Sequence, residues 1–375
     1  MKNIKLYIVV IIAVMMVGIV VFKDYMVESV GINEVGVGNS TCNTSSYIAD
    51  TPIVVPGLTY PAIVQNNPNS FSLYVGGLTK DLPQNLRVNP TRQRFPASQE
   101  EVWVANSSDL KSWSQFSPSL TIFPETPVVF RGSSSYASVF PNGFKIGCTG
   151  LPSSQCNVQI NDPSAVRFNN ATYLYFSILE NYRWYDGSKG SLVGGNPSNP
   201  SEQNRHSIGL AVSGDDGKNW AFVGKVIVED ARDDQGNVIL GAWAPSAVVN
   251  GDRVEIFFHD ALGTKQYVAS LIGGASLEKI TRLNKKDLTY RTNLDVVKEG
   301  NRYIAMYNDS NFSIVEHVFT NYSDFGVTCP NKTVVPASSG VLWPTPHQII
   351  VNGKVHLFFW KLGEINTVHH WVRSL

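Results

Sequence analysis

Ile160-Asn161-Asp162-Pro163-Ser164-Ala165-Val166 opens the stretch that decides the fold. After it come Thr172-Tyr173-Leu174-Tyr175-Phe176-Ser177, an insertion, Ile208-Gly209-Leu210-Ala211-Val212, and the turn Ser213-Gly214-Asp215-Asp216-Gly217-Lys218-Asn219-Trp220. This reads as a buried strand, a turn at Asn169–Asn170, an aromatic-rich alternating strand, a third strand and a tight polar turn closed by Trp220. An acid, Asp162, heads the unit.

Looser copies of the unit run through the chain. The first is 60–64 with 72–75, turning at Asn66–Asn69. The second is 162–166 with 173–177. The third is 244–249 with 254–258, turning at Asn250–Gly251. The fourth is 294–297 with 303–307, turning at Glu299–Gly300, and the fifth is 346–350 with 355–359, turning at Asn352–Gly353. Asn-Gly between apolar runs is a strong hairpin signal. Third strands follow at 101–105, 208–212 and 267–271, and no long segment of 3.6 period interrupts the series. The expectation is all-β: a five-bladed β-propeller over residues 51–375. A β-sandwich or β-helix is the runner-up, but it explains the strands and not their recurrence.

Composition narrows the partners. The 375-residue chain has zero formal net charge and 16% charged residues, so no basic field points to nucleic acid. Aromatics reach 11%, including eight Trp and fifteen Tyr, which suits sugar-stacking surfaces.

The N-terminus is a separate object. Lys2 and Lys5 precede an unbroken apolar run, Leu6 to Phe22, with no small-residue cleavage site after it. The expectation is a signal-anchor transmembrane helix over 1–23 and a flexible stalk over 24–50, with the propeller outside the cell membrane. A cleaved signal peptide and a secreted chain are the alternative. The four cysteines, Cys42, Cys148, Cys156 and Cys329, form no metal-type pair and suit disulfides in an oxidising compartment. Cys148 with Cys156 and Cys42 with Cys329 is one of three pairings. Sequons at Asn39, Asn43, Asn106, Asn170, Asn308, Asn311, Asn321 and Asn331 suit an exported glycoprotein.

In a propeller the inner strands line one channel, so their leading residues converge. These heads are expected at Tyr60, Asp162, Ala244 to Ser246, Asp295 and Pro344 to His347. Two acids on rigid strands are what glycoside hydrolysis needs. Asp162 also has a reading as an Asx-turn residue before Pro163, behind the functional one, Asp295 is equally half of a structural pair, and His347 is more often a satisfied structural histidine. Trp184, in the insertion after Glu180, is expected on a binding rim. Trp243 and Trp343 are either core or platforms for a sugar.

These residues carry a resemblance. Asn161-Asp162-Pro163-Ser164 with its aromatic strand, and Trp243-Ala244-Pro245 with its hairpin, resemble glycoside hydrolase family 43 and its invertase/levansucrase relatives. Ser107-Ser108-Asp109-Leu110-Lys111-Ser112-Trp113 is similar to a turn common in that superfamily, and Ser213 to Trp220 matches the sialidase-type Asp box, a structural turn. The resemblance covers nearly all of 51–375. It implies an O-glycosyl hydrolase acting on oligosaccharides, with Asp162 as catalytic base or nucleophile. Ser246 stands where family 43 has a second Asp, and Leu342 to His347 contains no Glu where the family has its acid. Glu180, Asp260, Asp295 and Glu316 are replacement carboxylates, Asp260 also on the substrate side, and His347 is a non-carboxylate acid. The resemblance admits a structural calcium in the channel; no other cofactor and no metal ligand set is expected, and the chain is expected to be a monomer. The alternative is a silent propeller that binds glycan or protein.

Overall fold

The computed structural model describes residues 46–55, 59–78, 100–120, 123–124, 145–146, 158–180, 184–186, 191–193, 205–260, 265–283, 292–309, 311–326, 329, 331–337, 342–362, 364 and 367–375. They form five antiparallel blades, four of them running from inner to outer strand in chain order, besides two small two-stranded sheets at 123–124 with 145–146 and 184–186 with 191–193. Blade 1 is Thr59–Asn67, Ser70–Leu78, Glu100–Ser107 and Ser117–Leu120; blade 2 is Val158–Phe168, Ala171–Glu180, Arg205–Ser213 and Ala221–Ile227. Blade 3 is Trp243–Asn250, Arg253–His259, Gln266–Ile272 and Ser276–Leu283; blade 4 is Thr292–Glu299, Arg302–Asn308, Ile314–Phe319 and Lys332–Val335. Blade 5 is Leu342–Val351, Lys354–Leu362 and Thr367–Ser374, and its outer edge comes from Ile48–Ala49 and Ile53–Val54, both paired with the last strand. Each inner strand touches the inner strands of both neighbours, and the fifth touches the first, so the ring closes. The expected five-bladed propeller is the fold.

Local chemistry sets the hairpins. Asn169 and Asn170 both take left-handed φ (48° and 60°), as do Asn352 and Gly353 (51° and 70°), the backbone of a two-residue turn matched to strand twist. The core is the set of seams between blades. Tyr74, Ile160, Phe176 and Trp220 fill the seam of blades 1 and 2, and Phe257, Val296, Tyr303 and Phe319 that of blades 3 and 4. Phe71, Leu73 and Trp103 meet Phe358 between blades 1 and 5. Aromatic side chains on second and third strands thus serve packing first.

The Asp box is structural, as its sequence suggests. Ser213 Oγ accepts from Gly217 N–H at 2.8 Å, Asp215 Oδ1 accepts from Asn219 N–H at 2.9 Å, and Trp220 Nε1–H donates to Ser119 Oγ of blade 1 at 3.1 Å. The turn at Ser107 repeats it, with Ser112 N–H donating to Asp109 Oδ1 at 2.8 Å.

Among the described residues no helix is long and apolar enough to cross a membrane; the expected anchor, and the stalk up to residue 45, lie outside them. Cys329 is disulfide-bonded, while Cys42, Cys148 and Cys156 lie outside the described residues. One sequon is closed: Asn308 is buried within blade 4 and has no room for a glycan.

Candidate functional site at the channel mouth

Every inner strand carries the same irregularity near its start. Pairing jumps from Thr59↔Gly76 to Ala62↔Tyr74, from Asn161↔Ser177 to Ser164↔Tyr175, and from Trp243↔His259 to Ser246↔Phe257. It jumps likewise from Thr292↔Asn308 to Asp295↔Met306 and from Leu342↔Leu362 to Thr345↔Trp360. Two inner residues thus oppose one, a β-bulge that re-aims the side chain it carries. Tyr60, Asp162, Ala244 and Asn293 occupy the first bulge position with φ of 54°, 47°, 52° and 55°. Non-glycine residues rarely adopt such angles, and four on one rim mark a strained, over-determined mouth.

This alignment corrects two expected head positions: the blade 5 bulge opens at residue 343, one before the expected Pro344 to His347. The blade 4 head is Asn293; Asp295 lies two residues deeper, level with Ser164 and Ser246. An extra residue in a bulge shifts everything after it, and the spacing of apolar residues does not reveal that.

Asp162 is the acid at the rim. Its own N–H donates to Asn161 Oδ1 at 2.7 Å. Oδ2 accepts from Ser177 Oγ–H at 3.1 Å and from the Trp243 indole N–H of the next blade. Ser177 Oγ in turn accepts the Ala244 N–H at 2.9 Å, so blades 2 and 3 are fastened through this cluster. Burial pushes the Asp162 carboxyl up to about 7, against the opposing pull of the Trp243 and Ser177 hydrogen bonds. A carboxyl that exchanges its proton near neutrality is equipped for acid–base work.

Asp295 and His347 form a second cluster, deeper in the channel. Asp295 Oδ1 accepts from Ser246 Oγ–H at 3.0 Å and pairs with His347 Nδ1 at 3.0 Å, while Oδ2 accepts the Gln348 N–H at 2.7 Å. His347 Nε2 reaches the Ile63 carbonyl of blade 1 at 3.2 Å. Burial alone would pull the imidazole pKa down, but the adjacent carboxylate and these hydrogen bonds hold it above its ordinary value. Asp295 and His347 therefore join blades 3, 4, 5 and 1 across the channel, and share no hydrogen-bond partner with Asp162. Those bonds leave no side-chain oxygens arranged around a cation, and among the described residues no group of three or more His, Cys, Asp or Glu side chains is placed to hold a metal. The residues present do not fit the calcium that the resemblance admits.

The remaining candidates are dispersed. Glu180 pairs through its backbone with Val158 and Arg205, three residues beyond Ser177 on the same strand. Trp184 pairs with Val193 in a separate two-stranded ribbon, and Trp343 lies in the blade 5 bulge. Asp260 is buried and closes a turn, its N–H donating to the Lys265 carbonyl at 3.0 Å. Glu316 belongs to a buried ion pair with Arg373 at 3.0 Å. Ser177, His206 and His259 are site residues that sequence reasoning misses, because a serine within an aromatic strand, a histidine near the start of one and a histidine at the end of another carry no spacing signal.

Similar solved structures share this architecture at low sequence identity. A family 43 β-xylosidase/α-arabinofuranosidase from a compost microbial metagenome, in complex with xylotriose, matches with a TM-score of 0.51 at 12% identity, over 89% of this chain and 94% of that one. A family 43 enzyme from Xanthomonas citri complexed with xylotriose matches at 0.50 and 13%, over 86% and 90%. An exo-β-1,3-galactanase from Phanerochaete chrysosporium with β-1,3-galactotriose matches at 0.50 and 10%, over 87% of this chain and 64% of that one. The likeness establishes the fold. No family profile matches the chain, and no curated protein matches it either.

Proposed function

We propose that this protein is a glycoside-hydrolase-like propeller that acts on oligosaccharides at its channel mouth, outside the cytoplasm. The observation that carries the reading is Asp162: an acid on a strained bulge, buried, hydrogen-bonded across two blades and poised to titrate near pH 7. Asp162 is the base that takes a proton from water or from the attacking hydroxyl. We assign the complementary proton donor to Glu180, on the strand that carries Ser177. Asp295 and His347 assist from below by fixing the channel floor. We assign Trp184, Trp243 and Trp343 to substrate binding, and the neighbours' ligands, xylotriose and galactotriose, suggest the size of substrate. An extracytoplasmic site is supported by the disulfide-bonded Cys329 and the apolar run 6–22. We propose a single-pass anchored monomer.

The test is turnover by the full-length chain on a panel of chromogenic glycosides, beside Asp162→Asn. Hydrolysis by the wild type that is lost in the variant supports the reading; equal turnover by both removes Asp162 from catalysis. A second reading, a silent glycan-binding propeller, is favoured by one observation: among the described residues no second carboxylate is bonded into the Asp162 cluster. Saccharide binding without any turnover selects it.

A further inference from the structure

A cavity of about 270 Å³ opens between blade 3 and the Tyr322–Asp324 turn of blade 4. Strand direction sets it away from the mouth. The blade 3 inner strand starts at the mouth with Trp243 and ends at Asn250, beside the cavity, and Arg253 and Glu255 open the next strand. Glu255 forms the floor and is 4% exposed. Its Oε2 accepts from the Tyr303 hydroxyl at 2.8 Å, and its Oε1 accepts from the Tyr322 hydroxyl and the Asn250 side-chain amide. All three donors are uncharged. Lys298 donates to Asn250 Oδ1, one group away from the carboxylate. Arg253 is taken up by Glu278, Ser270 and Asp252. A buried carboxylate is ordinarily matched by a cation; this one borders a cavity that opens to solvent past Lys279, an exposed residue of its rim.

We propose that this cavity binds a small organic zwitterion, its ammonium group on Glu255 and its carboxylate toward Lys279. The site is separate from the channel mouth and does not rest on the chemistry proposed there. A carboxylate offers about four lone-pair sites, and the Tyr303, Tyr322 and Asn250 bonds use three, so an ammonium donor still finds an acceptor. Val268 and Tyr322 line the space between floor and rim and suit a short methylene chain. The volume admits a molecule of amino-acid size and little more. Charge selects the class. A dication meets Lys279 and a plain anion meets Glu255, whereas one charge of each sign matches both ends of the cavity.

The test titrates the full-length chain with 4-aminobutyrate and 6-aminohexanoate by ligand-observed NMR, beside butylamine and butyrate, which carry one charge each. At least one of the two amino acids is expected to bind more tightly than either single-charge probe. Glu255→Gln weakens that binding about tenfold. Lys279→Glu, at an exposed position, weakens it severalfold and lets butylamine bind more tightly than it does to the wild type. No binding of either amino acid by the wild type, butyrate or butylamine bound as tightly as both, or an affinity that either substitution leaves unmoved overturns the assignment. Should Glu255→Gln fail to fold, Lys279→Glu decides alone, because an unchanged ratio of amino-acid to butylamine affinity in that variant overturns it.

Discussion

Asp162 and Asp295 occupy different rungs of the same repeated bulge. Asp162 is the left-handed residue that the bulge turns toward the mouth, whereas Asp295 follows the corresponding residue of its own blade, Asn293, and pairs directly with Met306. One acid is left to titrate near neutrality. The other is enclosed by Ser246, His347 and Gln348. Two residues of offset separate an acid fastened by Ser177 and Trp243 from one fastened by Ser246, His347 and Gln348.

The state of Asp162 makes stability depend on pH. Its folded pKa of about 7 lies above its ordinary 3.8, so the fold favours the protonated form. That contribution is complete below pH 4 and is lost as pH rises through 7. Asp162→Asn, which resembles the protonated acid, should melt with the wild type at pH 4 and above it at pH 8, by up to about 4 kcal/mol. Parallel melting curves at both pH values would contradict the raised pKa. Hydrolysis that needs the ionised base should rise as pH passes about 7; a falling limb there would make Asp162 the acid instead.

His347 titrates in the same direction for a different reason. His347 is raised above its ordinary value by the Asp295 carboxylate, so its contribution is present at pH 6 and lost as pH climbs through the folded value. Asp295→Asn should remove that dependence and cost roughly 3 kcal/mol, the scale of breaking a buried pair. Thermal melts of wild type and variant from pH 6 to 9 check it, and a variant that keeps the wild-type slope would place the titration elsewhere.

The seam of blades 4 and 5 holds a buried ion pair to which the half-buried Tyr47 is hydrogen-bonded. Arg373 NH2 lies 3.0 Å from Glu316 Oε2, and the Tyr47 hydroxyl donates to the same oxygen at 3.1 Å. Glu316→Gln leaves the guanidinium without its counter-charge and should cost about 3 kcal/mol. Tyr47→Phe removes one hydrogen bond and should cost about 1 kcal/mol. Denaturant midpoints measure both, and equal effects would mean that the tyrosine matters as much as the charge.

How much of the fold and site is legible in the sequence depends on the kind of signal. Asn352-Gly353 announces its hairpin because both residues take a left-handed backbone, Gly251 does the same after Asn250, and Asp216-Gly217 within Ser213 to Trp220 announces its turn for the same reason. Blade number follows from repetition. The bulge does not, because it adds a residue without disturbing the alternation on either side, and so the apolar spacing sets Asp295 on the wrong rung. The Ser177 and Trp243 bonds to Asp162 join residues 15 and 81 positions away, and no local pattern encodes them. His206 meets Trp243, 37 positions further along the chain, and no local pattern encodes that contact either.

The Asp box offers a test independent of catalysis. Gly217 takes φ of 84°, and a Cβ there would run into the hydroxyl of Tyr74, a fully buried residue of blade 1. Tyr74 also meets Trp220 edge to face, ring centres 5.8 Å apart, so it cannot retreat without disturbing the seam. Gly217→Ala therefore combines left-handed strain with overpacking and should cost roughly 2–4 kcal/mol. Pairing it with Tyr74→Phe, which removes the obstructing oxygen, should recover part of that loss. A full double-mutant cycle of denaturant melts measures the coupling. If the two effects simply add, the seam between turn and blade 1 is looser than this packing requires, and the box supports only its own hairpin.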